Sequence, residues 1–125
     1  MSKTQILIVE DDEDLHTLYA LYLQGSDYEV IKAFNGKEGL EKLKTHDPAV
    51  IVLDMIMPEM DGEEFFTRLR TEQPERNIPV IIASVNDKIP QKMLDLGNVH
   101  KILKKPFTID VMLDEIQSAL VTSGK

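Results

Sequence analysis

Residues 50–58 read Val50-Ile51-Val52-Leu53-Asp54-Met55-Ile56-Met57-Pro58. The first four are aliphatic, and such an uninterrupted run is typical of a strand that is buried on both faces of a parallel sheet. Asp54 follows this run directly, so it falls at the carboxyl end of the predicted strand. Because aspartate is also common in plain turns, its role has to be judged from the rest of the chain.

The composition is that of one acidic domain. The chain has 125 residues, the size of a single domain, which we place at residues 1–125. It has no cysteine, which excludes a disulfide framework and a thiol nucleophile and fits a cytoplasmic location. The net charge of −8 disfavours direct binding to nucleic acid or to an anionic membrane surface. The first apolar run is also too short to span a membrane.

Five short apolar segments alternate with five amphipathic ones, which predicts an α/β domain. The predicted strands are residues 6–9, 28–34, 50–53, 79–83 and 100–104. The first, third and fourth are uninterrupted apolar runs, whereas charged residues interrupt the second and fifth, so these two suit the sheet edges. We therefore predict a doubly wound, flavodoxin-like (βα)5 fold with a five-stranded parallel sheet in the order 2-1-3-4-5.

Apolar stripes and capping residues predict the helices. The first helix is expected to bury residues at helical spacing, namely Leu15, Leu18, Tyr19 and Tyr22. Residues that favour N-caps open three later helices, namely Asn35, Asp61 and Thr108. The fourth helix is predicted to be short, because Pro90 fits only a first turn.

Four of the five predicted strands end in a residue with reactive or charged chemistry, namely Glu10-Asp11, Asp54, Ser84 and Lys105. The carboxyl ends of parallel strands share one edge, so we expect these side chains to converge. Two carboxylates ~4 Å apart repel by about 4 kcal/mol at an effective dielectric of 20, and a hard divalent cation removes that repulsion. The acids therefore predict a Mg²⁺ site, with Asp11 and Asp54 as ligands and Glu10 acting through water.

Lys105 and Ser84 complete the predicted site on the other side of Asp54. Metal, ammonium and hydroxyl together can neutralise three phosphoryl oxygens while a carboxylate oxygen of Asp54 acts as the nucleophile. This set favours in-line phosphoryl transfer to a carboxylate. Each residue also has an ordinary structural interpretation, such as an acidic cluster at a helix N-terminus. If all of these ordinary interpretations were correct, the presence of such residues at four strand ends would require four unrelated coincidences.

Four motifs of the chain resemble the receiver domain of two-component response regulators, which is CheY-like: Val9-Glu10-Asp11-Asp12, residues 53–62, residues 79–84 and Lys105-Pro106-Phe107. The resemblance spans nearly the whole chain. It implies that Asp54 accepts a phosphoryl group from a histidine kinase or a phosphotransfer protein and that a conformational change follows. It also implies that Asp11, Asp54 and the carbonyl of Ile56 hold Mg²⁺, with Glu10 assisting.

The same resemblance implies that Ser84 and Lys105 contact the phosphoryl group, that Ser84 and Ile102 are switch positions, and that the Lys105-Pro106 bond is cis. It implies a signalling domain rather than an enzyme, acting on an unknown downstream protein or a covalently attached output domain. The chain departs from the family pattern at two single residues, and residues 97–100 and the early Pro90 also fit that pattern poorly. Val85 stands where the family usually has a very small residue, and Ile102 stands where it often has an aromatic.

Three other functions stay open at this point. A Mg²⁺-dependent phosphatase would need a general acid close to Asp54, where the chain has Met55 and Ile56. A flavodoxin-like nucleotide binder would need a Gly- or Ser/Thr-rich phosphate loop, where residues 10–14 are all acidic. A receiver fold that no longer accepts phosphate would act only through protein contacts, and Val85 and Ile102 keep this alternative open.

Overall fold

The computed structural model describes residues 3–86 and 88–122, in which strands and helices alternate strictly. The strands are β1 (Thr4–Val9), β2 (Tyr28–Ala33), β3 (Val50–Asp54), β4 (Val80–Ser84) and β5 (Val99–Lys104). The helices are α1 (Glu13–Gln24), α2 (Gly36–Leu43), α3 (Gly62–Glu72), α4 (Gln91–Leu96) and α5 (Ile109–Thr122). Strand bounds differ from the predicted ones by two residues at most.

All neighbouring strands pair in parallel, in the order β2-β1-β3-β4-β5, which confirms the predicted doubly wound sheet. Every residue of β3 and β4 is buried, as is the second half of β1, whereas β2 and β5 carry exposed residues. The edge strands are thus the two whose apolar runs are interrupted by charges. Winding reverses between β1 and β3, which places a crevice at their carboxyl ends.

Two hydrophobic clusters cover the two faces of the sheet. One packs α2, α3 and α4 against the sheet and includes Leu43, Phe65, Phe66, Leu69 and Met93. The other packs α1 and α5 and includes Tyr19, Leu23, Met112, Ile116 and Ala119. Within the described ranges, none of these helices has both the length and the apolar character needed to cross a membrane.

Helix α1 buries a different stripe from the predicted one. Its buried residues are His16, Tyr19, Ala20 and Leu23. Leu18 and Tyr22 are instead 40% and 49% exposed, so the prediction was wrong for these two residues. The buried set follows the i, i+3, i+4, i+7 spacing of one helix face. Hydrophobic periodicity missed this face because it begins with a histidine.

The predicted caps are confirmed. The side chains of Asn35, Asp61 and Thr108 each accept the backbone N–H three residues further on, at 2.8, 2.9 and 3.3 Å. Helix α4 has only six residues and begins directly after Pro90, as the proline predicted. These caps fix where α2, α3 and α5 leave the carboxyl edge of the sheet.

Arg70 is a buried arginine near the end of α3. Its guanidinium donates to four backbone carbonyls, those of Ile78 at 2.7 Å, Gly97 at 3.1 Å, Asn98 at 3.1 Å and Arg76 at 3.4 Å. The same group lies 4.8 Å from the ring centroid of Phe66, and burial lowers its pKa. Arg70 therefore ties α3 to the loops that precede β4 and β5.

Replacing Arg70 by methionine should lower the free energy of unfolding by about 3 kcal/mol, because several carbonyls would lose their donors in a buried setting. Urea denaturation measures the change. Arg68→Met is the matched control on the same helix, since Arg68 is half exposed and pairs with Glu64 at 3.0 Å. That exposed pair contributes about 0.5 kcal/mol. Equal losses in the two variants would contradict a role for the buried guanidinium.

Candidate functional site

Three acids meet at the carboxyl edge of the sheet. Glu10 and Asp11 follow β1 and Asp54 ends β3, and these two strands are neighbours. One carboxylate oxygen from each residue lies within 4.8 Å of the others. Glu10 and Asp54 are buried, whereas Asp11 is exposed. We call these three residues the acidic cluster; their arrangement allows them to hold a metal ion.

Lys105 reaches the acidic cluster from the far side of β4. Its Nζ lies 3.3 Å from Oε1 of Glu10 and 3.3 Å from Oδ1 of Asp54. Its backbone N–H donates to the carbonyl of Ser84 at 2.7 Å, and the Lys105-Pro106 peptide bond is cis, as expected. Lys104 is exposed, so it is the lysine next to the proline that turns inward.

The charges of the site perturb one another. The pKa of Glu10 is raised to about 7, first by burial and then by the hydrogen bond and the negative charge of Asp54, while the ammonium of Lys105 acts in the opposite direction. Burial alone would lower the pKa of Lys105, but the attraction of Asp54 and Glu10 outweighs it and leaves that pKa raised. Lys105 is therefore charged at neutral pH, and the Glu10 carboxyl is partly protonated when no metal is bound.

This shift predicts the pH dependence of the metal-free protein. The pKa of Glu10 rises from 4.5, its ordinary value, to about 7 in the fold, so the folded state binds more protons between these values. The stability that Glu10 contributes is complete below pH 4.5 and is lost as the pH rises through 7. With a chelator present, the loss of the Glu10 contribution should lower the unfolding free energy by about 3 kcal/mol as the pH rises. Urea denaturation from pH 5 to 8 measures it.

A Glu10→Gln variant isolates this contribution, because it removes the titrating group and keeps the side-chain shape. The difference in unfolding free energy between the unchanged chain and Glu10→Gln should shrink or reverse as the pH rises. A difference that is constant across this pH range would contradict the raised pKa.

Ser84 and Ile56 flank Asp54. Ser84 is the buried last residue of β4, and its hydroxyl oxygen accepts the N–H of Asn86 at 3.2 Å. Its hydrogen bonds within the described chain do not reach the acidic cluster. The N–H of Ile56 lies 3.5 Å from Oδ1 of Asp54, at the outer limit of a hydrogen bond, and its side chain is 72% exposed.

The two departures from the family pattern lie in different settings. Val85 follows Ser84 and is 63% exposed. Ile102 lies on β5 opposite Ile82 and packs, partly buried, against the cluster formed with α2, α3 and α4. One departure therefore changes the surface beside the site, and the other changes the packing of an edge strand.

Two residues next to the site were not recognised from the sequence. A Cβ on Gly62 would lie 2.4 Å from the carbonyl oxygen of Asp54, so α3 begins in direct contact with the end of β3. The motif Asp61-Gly62 signals only a helix cap. His16 is fully buried beneath Glu10, and burial lowers its pKa, which favours the neutral ring. The available signal for its burial was its spacing of three, four and seven residues from Tyr19, Ala20 and Leu23, which lie on the buried face of α1.

A surface cavity of about 400 Å³ lies at the opposite edge of the sheet. Its lining includes Arg76, Asn98 and His100, and each of these side chains already bonds to another protein group. The site residues do not line this cavity. The acidic cluster is thus separate from this cavity.

Fold and site together define a class of protein: a doubly wound α/β domain with acids and a lysine gathered at the point where the winding reverses. The model of the response regulator receiver domain family matches residues 6–117. The chain belongs to this family: it is a receiver domain of the kind found in two-component response regulators. It is therefore a signalling domain, as the resemblance implied.

Two curated relatives come from Bacillus subtilis. The uncharacterized transcriptional regulatory protein YkoG is 36% identical over 126 residues, which cover 99% of this chain and 54% of the relative. The alkaline phosphatase synthesis transcriptional regulatory protein PhoP is 36% identical over 105 residues, which cover 83% of this chain and 43% of the relative. The chain spans about half the length of these curated relatives.

A solved structure is similar over its full length. The receiver domain of the Francisella response regulator 1452 superposes with a TM-score of 0.84 at 29% identity, covering 96% of this chain and 98% of that one. The match therefore includes nearly the whole of that receiver domain.

Proposed function

We propose that this receiver domain accepts a phosphoryl group on Asp54 in a Mg²⁺-dependent reaction and signals through the conformational change that follows. The donor would be a histidine kinase or a histidine phosphotransfer protein. One observation supports this most: the ammonium of Lys105 contacts Asp54 and Glu10, each at 3.3 Å, inside the acidic cluster.

The acidic cluster fits Mg²⁺ by its chemistry. Carboxylates are the hard oxygen ligands that Mg²⁺ prefers, and this ion typically takes one or two of them and keeps several waters. Asp11 and Asp54, with the backbone carbonyl of Ile56, would hold the ion, and Glu10 would assist through water. The exposure of Asp11 leaves room for that water. Once bound, Mg²⁺ would neutralise negative charge on the phosphoryl oxygens.

The protein's own groups supply the rest of the reaction. A carboxylate oxygen of Asp54 attacks phosphorus, a P–O bond forms, and the P–N bond of the phosphohistidine donor breaks with its electrons left on the imidazole. Lys105 would pair with one phosphoryl oxygen. The Ser84 hydroxyl accepts the Asn86 N–H, so its own hydrogen can be donated to another phosphoryl oxygen.

We propose that Ser84 and Ile102 carry the response. Attraction of the Ser84 hydroxyl to the phosphoryl group would move the end of β4, which pairs with β5. Ile102 lies on β5 partly buried, so a shift of that strand would repack it. Because an isoleucine is smaller than the usual aromatic, the movement at this position would be limited to such repacking.

The setting of the domain is proposed on the same basis. We propose that residues 1–125 form one receiver domain in the cytoplasm that takes up phosphate without turning over a substrate as an enzyme does. The relatives about twice as long support an output function, carried by an attached domain or by a separate downstream protein. The net charge of −8 argues against direct contact with nucleic acid or membrane.

Incubation with acetyl phosphate, followed by intact mass measurement, tests the proposal. The chain should gain one phosphoryl mass with Mg²⁺ and none with a chelator. No gain under any metal condition would favour a receiver that acts only by protein contact. Continuous hydrolysis of an aryl phosphate ester would instead support the Mg²⁺-dependent phosphatase.

A further inference from the structure

His16 forms a buried link beneath the acidic cluster. Its Nε2 lies 2.6 Å from the carbonyl oxygen of Glu10 and 3.0 Å from that of Ala33. The Ala33 carbonyl also accepts the N–H of Glu10 at 3.0 Å. One imidazole nitrogen therefore joins α1 to the ends of both β1 and β2.

The two partners define which nitrogen carries the hydrogen. Carbonyl oxygens only accept hydrogen bonds, so Nε2 must be the protonated nitrogen that donates to both. Nδ1 has no hydrogen-bond partner in the part of the chain that the structure describes. The ring also packs against Phe34, with centroids 4.5 Å apart. His16 thus donates hydrogen bonds through Nε2, and the Phe34 ring packs against its imidazole.

The orientation of the Glu10 carbonyl has a direct effect on Asp11. A peptide unit is planar, so the carbonyl of Glu10 and the nitrogen and Cα of Asp11 lie in one plane. Holding that carbonyl therefore fixes the direction in which the chain leaves β1 toward Asp11. Asp11 is exposed, so its position depends on the backbone that carries it.

We propose that His16 is a positioning residue for divalent-cation binding by the acidic cluster: its Nε2–H orients the Glu10–Asp11 peptide so that Asp11 faces Asp54. This inference rests on the proposed Mg²⁺ site and adds a residue that contacts neither metal nor phosphate. Groups that orient metal ligands in this way typically change affinity by about 10- to 100-fold when they are removed.

Calorimetric titration of the full chain with Mg²⁺ tests the proposal. His16→Leu keeps an apolar side chain and removes the N–H, and it should weaken Mg²⁺ binding by about tenfold. His16→Gln puts an amide N–H at a similar reach and should restore most of the affinity. Should His16→Leu fail to fold, His16→Asn takes its place, because its shorter amide does not reach the two carbonyls.

Leu23→Ala is the matched control. Leu23 lies fully buried on the same face of α1, two turns further from the acidic loop. It should lower the thermal midpoint in chelator as His16→Leu does, yet leave the Mg²⁺ affinity unchanged. Equal losses of affinity in both variants, or full affinity in His16→Leu, would overturn the positioning role. Failure of the unchanged chain to bind Mg²⁺ would overturn the proposed site itself and this inference with it.

Discussion

An Asp54→Ala variant should gain no phosphoryl group from acetyl phosphate and Mg²⁺, under conditions in which the unchanged chain gains one. The variant lacks the carboxylate oxygen that would form the new bond, and the neighbouring acids are placed to bind metal rather than to attack. Intact mass measurement should show complete loss. This is the largest functional effect that we expect from a single substitution.

The fold should survive this change. Burial first, and then the hydrogen bond and the negative charge of Asp54, raise the pKa of Glu10, so the alanine removes one of two carboxyl groups that lie close together. Asp47→Ala is a matched control, because Asp47 is an aspartate at the opposite edge whose side chain is 88% exposed. This control should be phosphorylated like the unchanged chain. Phosphorylation of Asp54→Ala at a normal rate would show that another residue is the acceptor.

Among the substitutions of a glycine by alanine in this chain, we expect Gly62→Ala to cause the largest loss of stability. The new Cβ would lie 2.4 Å from the carbonyl oxygen of Asp54 and 2.8 Å from Cα of Met55. Both are backbone atoms that cannot rotate away, so α3 or the end of β3 must shift. We expect the free energy of unfolding to fall by about 3 kcal/mol. The displaced Asp54 should also slow phosphorylation on the order of tenfold.

Gly25→Ala provides the control for this substitution. Gly25 follows α1 with a helical φ of −67°, and an added Cβ would meet its nearest neighbour at 3.6 Å, an ordinary contact. Alanine there should raise the unfolding free energy by about 0.5 kcal/mol by restricting the unfolded chain. Urea denaturation and intact mass compare the two variants. If Gly62→Ala were as stable and reactive as Gly25→Ala, the contact between α3 and β3 would not matter.

The strand order could be predicted because burial on both faces leaves a mark on composition. Residues 50–53 and 80–83 are wholly apolar, whereas Glu29 and Lys101 interrupt the strands that proved to be the edges. The meeting of Glu10, Asp54 and Lys105 then followed from parallel topology alone, since each stands at a strand's carboxyl end.

The burial of Arg70 and His16 could not be predicted in this way. Arg70 and His16 are buried because backbone carbonyls from distant segments satisfy their N–H groups, and only the folded chain places those carbonyls. Gly62 is required by a backbone contact rather than by its own conformation. Leu18 was wrongly predicted to be buried. Its spacing fits an apolar face of α1, but periodicity alone cannot tell which of two adjacent helix faces packs against the sheet.

Lys105 and Glu10 bond across 95 positions of the sequence. Synthesis runs from the N-terminus, and β5 is the last strand of the sheet. Glu10, Asp11 and Asp54 are therefore synthesised well before Lys105. A nascent polypeptide that stops short of β5 lacks Lys105, so we expect it to gain no phosphoryl group from acetyl phosphate and Mg²⁺. Competence to accept a phosphoryl group should therefore arise only once the chain has been synthesised through β5 and Lys105.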